Sequence, residues 1–281
     1  MVEQDGNTKL HMASELFDKD VLHPDAMGLA RTALLPSLGL HGGLSIIAYG
    51  IARASDRVEI KDYLWPTGMV ANAWWVAIGR HMVSHPHISF RQAWSRLSYH
   101  QIALLGAATA WSGRLAYRII SRGLRRGSDD SRYKDVKTEP GFWNTAPFAI
   151  FFPEAIFQAI ITLPLVMPLR DDQITGLYGA SSSWATWFRL GATGVFATGL
   201  AMEILADYQM ENHKREPEKR GKSRILRSGV WSIVRHPNYL GDALCHLAFP
   251  IWNFGSGLFS PWQILGPIAN YLFLRGIGGD K

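Results

Sequence analysis

Two stretches of the chain gather residue types that can do chemistry together. In "AMEILADYQMENHK", Glu203 and Asp207 stand four apart, which puts both on one face of a helix. Lys214 follows seven residues beyond Asp207, near the same stripe. In "WSIVRHPNYLGD", Arg235, His236, Asn238, Tyr239 and Asp242 surround Pro237. Pro237 fixes its own backbone and disfavours helix at His236. Asn238 is then expected to cap a helix that starts at Tyr239. A helix start presents free N–H groups and a partial positive charge, which suits phosphate. Arg235 adds a forked cationic contact and His236 a further donor. Acids able to hold ribose or amide groups, beside cations able to hold phosphates, meet the needs of a dinucleotide. Two plainer readings stay open here. The loop also fits a proline turn among positive charges, and Glu203 also fits an interfacial acid paired with a basic loop residue.

Further constellations are less specific. Arg114 and Arg118 stand four apart with Tyr117 beside them. Arg118 reads as a cation at a helix end, and Arg114, lying deeper, is the better site candidate. Glu154 and Gln158 stand four apart within an apolar segment, where they either line a lipid pocket or lock helices together. His81, His85 and His87 have no carboxylate partner in their segment and make a weak case for zinc. His41, among glycines, reads as a helix-packing position. The single cysteine, Cys245, excludes an internal disulfide and a Cys-based zinc site. There is no phosphate loop, dinucleotide fingerprint or nucleophile elbow.

The elements that must position these residues are apolar helices. Mean hydropathy is −0.01 over 281 residues, but the charges are segregated into blocks. Segments of roughly 20 mostly apolar residues suffice to span a membrane. About seven approach this, at 27–52, 63–83, 99–120, 146–169, 184–205, 239–254 and 261–277. The 11 tryptophans and 13 phenylalanines suit membrane interfaces. Residues 1–26 are acidic and polar rather than a basic start before an apolar core, so a mobile tail is expected instead of a cleavable signal. Basic residues cluster after the third segment (Arg122, Arg125, Arg126, Arg132, Lys134, Lys137). They cluster again after the fifth (Lys214, Arg215, Lys219, Arg220, Lys222, Arg224, Arg227, Arg235). The positive-inside rule puts both loops, and Arg53, Arg57 and Lys61 after the first segment, in the cytoplasm. Arg91 and Arg96 run against this pattern, while Arg170 lies beside Asp171 and Asp172 on the far side. The pI near 9.5 is thereby assigned to orientation and anionic lipid rather than to nucleic acid.

"LADYQ" followed by "GVWSIVRHPNYLGD" resembles the membrane reductases with a steroid 5-alpha-reductase-like C-terminal domain, which include delta-14 sterol reductases. "WSGRLAYRIISRG", "SRYKDVKTEPGFW" and "FFPEAIFQAIITLPL" are similar to the fungal branch of that family, whose function is unknown. The resemblance runs from about Trp111 to Asp280. Its Arg-His-Pro-Asn-Tyr core also recurs in membrane isoprenylcysteine methyltransferases. The resemblance implies NADPH-dependent reduction of a carbon–carbon double bond in a lipid. It implies a cofactor group of Asp207, Gln209, Lys214, Trp231, Arg235, His236, Asn238, Tyr239 and Asp242. Relatives often carry glutamate where Asp242 stands and lysine where Met210 stands, and they continue past "FLRGIGGDK" into a polar tail that this chain, stopping at Lys281, is expected to lack.

These readings combine into one expectation. The fold is all-α and polytopic: a polar tail over 1–26, membrane helices over 27–110, and a reductase-like membrane domain over 111–281, with a cofactor pocket facing the cytoplasm. The substrate is sterol-like or otherwise lipophilic, lined by Arg114, Glu154 and Gln158. Tyr239 is the first choice of proton donor and Glu203 the second. The endoplasmic reticulum membrane is the location the family implies. Membrane lipid is a partner, nucleic acid is not, and the oligomeric state is open. The alternatives are a methyltransferase using S-adenosylmethionine on a lipid or prenylated cysteine, and a non-catalytic membrane protein.

Overall fold

The structure is a computed structural model that describes residues 28–170, 179–215 and 225–278. The tail expected over 1–26, Asp171 and Asp172, and the basic residues Lys219, Arg220, Lys222 and Arg224 lie outside the described residues, as do residues 279–281. Among the described residues the elements are helical, with no strand. We number them α1 (Leu35–Ser55), α2 (Ile60–Trp74), α3 (Arg80–Ser84), α4 (Phe90–Ser95), α5 (Tyr99–Arg126), α6 (Phe142–Ala146), α7 (Phe152–Ile161), α8 (Leu163–Val166), α9 (Ser182–Arg215), α10 (Pro237–Gly255) and α11 (Leu265–Gly278).

Among the described residues, three helical stretches are long and apolar enough to cross a membrane: Ala30–Ser55, Phe142–Ile161 and Ser182–Arg215. The other expected segments are helical too, but they are short or carry polar residues. The α2–α3 rod begins with Lys61 and Asp62, α5 carries a series of arginines, α10 contains Pro250, and α11 is 14 residues long. π-helical turns at Trp75–Gly79 and Pro147–Phe151 join α2 to α3 and α6 to α7, so each pair runs as one rod.

Local chemistry sets the ends that matter for the site. Ser98 caps α5 and Gln101 reaches back to it, a reciprocal capping box. At its other end α5 stops at Gly127, whose φ of 68° suits glycine. α10 starts at Pro237, with His236 as its cap residue. Asn238 is therefore inside the first turn and is not the cap, a correction to the sequence reading. Proline itself, pre-set for the first helical position and lacking an N–H to satisfy, does the starting.

The most intimate pairing is α9 against α10. Gly199 and Gly241 face each other there: a Cβ on Gly199 would sit 2.6 Å from the Gly241 carbonyl oxygen, and one on Gly241 would sit 2.7 Å from Glu203 Cγ. Backbones approach closely where small residues meet, and this seam brings Glu203 against α10. Trp111, Met69, Ile161 and Cys245 pack fully buried around the centre. The loops after α1 and α5 meet at one end of the bundle. Asp129 accepts the backbone N–H groups of Val58 and Glu59 at 3.0 Å each, and Lys137 Nζ lies 2.8 Å from Asp56.

Candidate functional site

A cavity of about 1270 Å³ opens at that same end. It draws together Arg114, Glu154, Glu203, Asp207, Lys214, Asn238, Tyr239 and Asp242 from the residues singled out in the sequence. They come from α5, α7, α9 and the start of α10.

One wall is the face of α5 turned toward α9. Arg114, Arg118, Arg122 and Arg126 recur every four residues, so they form a ladder along one helix face. The lower rungs are neutralised. Arg114 Nη2 pairs with Glu203 Oε2, and its Nη1 lies 2.6 Å from Asp207 Oδ2. Arg118 Nε lies 2.7 Å from the same Asp207 oxygen. Above them Arg126 is paired as well, with Glu59 at 2.8 Å and Asp130 at 2.9 Å, while Arg122 and the neighbouring Arg125 are open. Arg122 is exposed, and its contact with Asp130 is long, at 3.9 Å. Arg125, also exposed and lining the mouth, donates to the Ser121 carbonyl and pairs with no carboxylate among the described residues. Neutralised and accessible guanidiniums thus share one helix.

The first turns of α10 form the adjoining wall. Asp242 accepts from Trp111 Nε1 at 3.2 Å and from Asn270 Nδ2 at 2.9 Å, two neutral donors. Tyr239 stacks on His236, with ring centroids 5.2 Å apart. Several polar atoms here are buried without a hydrogen-bond partner: Arg114 Nε, Glu203 Oε1, His236 Nε2 and Asn238 Oδ1. Such orphans are uncommon and mark places where a ligand or water completes the bonding.

A second charged wall lines the same cavity, of which the sequence pointed to Glu154 alone. Lys61 Nζ lies 2.9 Å from both Asp62 Oδ1 and Glu154 Oε2. Asp62 also accepts from the Tyr133 hydroxyl at 3.0 Å and pairs with Arg132 at 2.7 Å. Arg132 and Lys61 lie 5.3 and 5.5 Å from the centre of the Tyr133 ring. Burial and the Asp62 carboxylate both push the Tyr133 hydroxyl above its usual range. Asp130 joins this wall to the ladder by pairing with Arg126 at 2.9 Å and Arg132 at 3.2 Å. Burial alone would raise its pKa. The Arg132 backbone N–H and the Arg132 and Arg126 guanidiniums outweigh that and hold it at about 2.

The remaining sequence candidates lie off the cavity lining. Gln158 faces Gly68 and His41, in a buried polar node where Thr162 and Asn72 approach His41 Nε2 at 3.3 and 3.4 Å. Gln209 accepts the Val230 N–H at 3.0 Å, and Trp231 Nε1 donates to the Ala206 carbonyl at 3.0 Å. These two side chains tie the Gly229–Ser232 turn to α9 and so fix the approach to α10. Arg235 is exposed and His236 reaches the cavity only through its stack on Tyr239. The four-residue repeat of arginines on α5 was the available signal for the ladder. Lys61, Asp62, Arg132 and Tyr133 gave none, because three separate segments supply that wall.

Residues 48–280 match the family described as "Protein of unknown function (DUF1295)". The chain belongs to this family. An uncharacterized protein of Schizosaccharomyces pombe is 28% identical over 162 residues, 52% of this chain and 46% of that protein. A protein of Ustilaginoidea virens named "Probable O-methyltransferase ustE" is 38% identical over 85 residues, 30% of this chain and 27% of that protein. The chain thus spans less than half the length of either curated relative. No solved structure gives a significant match. This member of the DUF1295 family is helical, with stretches able to cross a membrane and a cavity lined by charged residues.

Proposed function

We propose that the protein is an NADPH-dependent reductase of a carbon–carbon double bond in a sterol-like or other lipophilic substrate. In this reading it is a multi-pass protein of the endoplasmic reticulum membrane with about seven spans, its cavity opens to the cytoplasm, and its wider kin are the delta-14 sterol reductases and isoprenylcysteine methyltransferases. The observation that carries the proposal is a pair of accessible guanidiniums on α5, Arg122 and Arg125, beside arginines whose charge is already matched. Arg114 and Arg118 are already neutralised by Glu203 and Asp207, whereas Arg122 and Arg125 are exposed at the mouth. A guanidinium matches phosphate oxygens with two parallel donors. Lys214 lines the same mouth.

The residues present fit the cofactor by their unfinished bonding. His236 Nε2 and Asn238 Oδ1 are buried and unpartnered beside Tyr239, and among the described residues Asp242 accepts from the neutral donors Trp111 and Asn270. Asp242, Asn238 and Tyr239 would hold the nucleoside end, and Arg122 and Arg125 with Lys214 the phosphates. Bound there, NADPH supplies a hydride to one alkene carbon. Tyr239 holds a hydroxyl proton for the other carbon and regains it from water at the mouth. Glu203 pairs with Arg114 and so orients the guanidinium, and it is the second choice of proton donor after Tyr239.

Titration of purified protein in detergent with NADPH, NADH and S-adenosylmethionine tests this. NADPH is expected to bind more tightly than NADH, and less tightly as salt rises. Replacing Arg122 and Arg125 by alanine together should weaken NADPH by about tenfold to a hundredfold. Tyr239→Phe should keep NADPH binding within about tenfold and cut turnover by about 10²–10⁴. Equal, salt-insensitive binding of NADPH and NADH would remove the ladder from the site. One observation favours a second reading: a relative carries the name of a probable O-methyltransferase. Binding of S-adenosylmethionine alone would support methyl transfer instead.

A further inference from the structure

The wall of Lys61, Asp62, Glu154, Arg132 and Tyr133 faces the same cavity as the arginine ladder, yet it has a different electrostatic character. Its cations Lys61, Arg126 and Arg132 are matched by Asp62, Glu154 and Asp130. A balanced wall exerts little net pull on an anion, while the open guanidiniums at the mouth do. What the wall offers is alternation. An ammonium and a phenol donate, and two carboxylates accept, within one patch. Lys61 has three N–H donors and bonds to two carboxylates, which leaves one donor for a ligand. Lys61 and Glu154 are 9% and 6% exposed, a costly setting for charge unless function or pairing retains it.

The rest of the lining includes apolar side chains, Trp65, Leu115, Ile119, Ile150, Phe273 and Leu274. Trp65 and Phe273 stack with centroids 4.3 Å apart. A pocket of this kind takes a hydrophobic body and fixes its orientation through a few polar groups.

We infer that this second wall is the binding site for the hydroxyl group of a lipophilic alcohol, the polar end of the substrate. A hydroxyl both accepts and donates. It takes the spare Lys61 N–H on its oxygen and gives its hydrogen to Glu154 or Asp62. A carbonyl satisfies only the donors, and a phosphate is repelled by the carboxylates. The inference rests on the reading of the mouth as the cofactor's end, since that assigns the apolar lining and the second wall to substrate.

The test is competition for radiolabelled hexadecanol bound to the purified full chain in detergent. Unlabelled hexadecanol, its methyl ether and hexadecyl phosphate are the competitors, and NADPH binding is measured on the same preparation. The ether keeps the chain and an acceptor but loses the donor. It is expected to compete about tenfold more weakly than the alcohol, the effect of a hydrogen bond to a charged group. Tyr133→Phe frees the Asp62 oxygen it held, and Glu154→Gln removes an acceptor charge while keeping the shape. The alcohol–ether gap should change by threefold or more in at least one of them, with NADPH affinity unchanged. Equal competition by alcohol and ether overturns the inference, as does a gap unmoved in both variants. Stronger competition by the phosphate, lost at high salt and indifferent to Tyr133→Phe, also overturns it, because the mouth then takes the polar end. A gap that behaves as expected without NADPH binding leaves the alcohol site standing and removes the reductase reading.

Discussion

In one wall of the cavity Arg114 is shared between Glu203 and Asp207; in the other, Lys61 is shared between Asp62 and Glu154. Each is a cation between two carboxylates, Lys61 buried and Arg114 partly so, but they are held differently. The first is made by two long helices, and it leaves Arg114 Nε and Glu203 Oε1 without partners. The second recruits a loop, and Arg132 and Tyr133 complete its bonding. The ladder wall resembles a bonding scheme awaiting a ligand, while the loop wall is largely self-satisfied and has one Lys61 donor left to offer.

The largest effects should come from removing the shared cations. Arg114→Met leaves Glu203 buried without its cation, although Arg118 still holds Asp207. Lys61→Met does the same to Glu154, although Arg132 still holds Asp62. Breaking a buried pair in this way destabilises by about 3–5 kcal/mol. Thermal unfolding in detergent should therefore show a similar loss for both variants. Adding Glu203→Leu to the first and Glu154→Leu to the second should recover most of it, because a hydrophobic pair replaces an orphaned charge. A loss below about 1 kcal/mol on either side would mean that water reaches that wall and screens it.

The two walls also differ in how far they could be seen in advance. Glu203, Asp207 and Asp242 were legible because an acid in or beside an apolar span is conspicuous, and four-residue spacing sets Glu203 and Asp207 on one helix face. The helical architecture was legible for the same reason, from apolar runs between charged blocks. Lys61 and Arg132 looked like members of positive-inside loops, since nothing local distinguishes a loop cation that turns into a cavity from one that meets lipid headgroups. Gln209 and Trp231 stand in the motif that implies cofactor contacts, and each also bonds to backbone that shapes the approach to α10, a role no local pattern announces. Asn238 followed the usual capping pattern, but a proline at the first helical position needs no such cap.

An intermediate effect separates the walls through the backbone. The α9–α10 seam admits no Cβ at Gly241 without pushing on Glu203 Cγ at 2.7 Å and the Gly199 carbonyl at 2.6 Å. Gly241→Ala should cost about 1–3 kcal/mol, the range for overpacking. It should also shift Glu203 away from Arg114, so NADPH binding should fall along with stability. The alcohol–ether preference, set on α2, α7 and the loop, should persist. Loss of that preference in Gly241→Ala would show that the walls move as one body.

The smallest effect lies where the walls join. Asp130 pairs with Arg126 of the ladder and Arg132 of the loop, and its carboxyl is held at about 2, below the ordinary value of 3.8. A carboxylate whose folded pKa is depressed stabilises the fold fully above its unfolded pKa, and that contribution is lost as pH falls through the folded value. The window is therefore from about pH 4 down to about pH 2. Arg132 is nearly half exposed, at 48%, so solvent screens part of the interaction, and the expected contribution is about 1–2 kcal/mol. Asp130→Asn should melt lower than the parent protein at pH 6, and the difference should shrink as the pH is taken below 4. If the walls are coupled through this residue, Asp130→Asn should also narrow the alcohol–ether preference, because Arg132 is then free to draw Asp62 away from Lys61. A melting difference that stays constant from pH 6 to pH 3 would mean that Asp130 acts through its hydrogen bond to the Arg132 backbone, and that its charge links nothing.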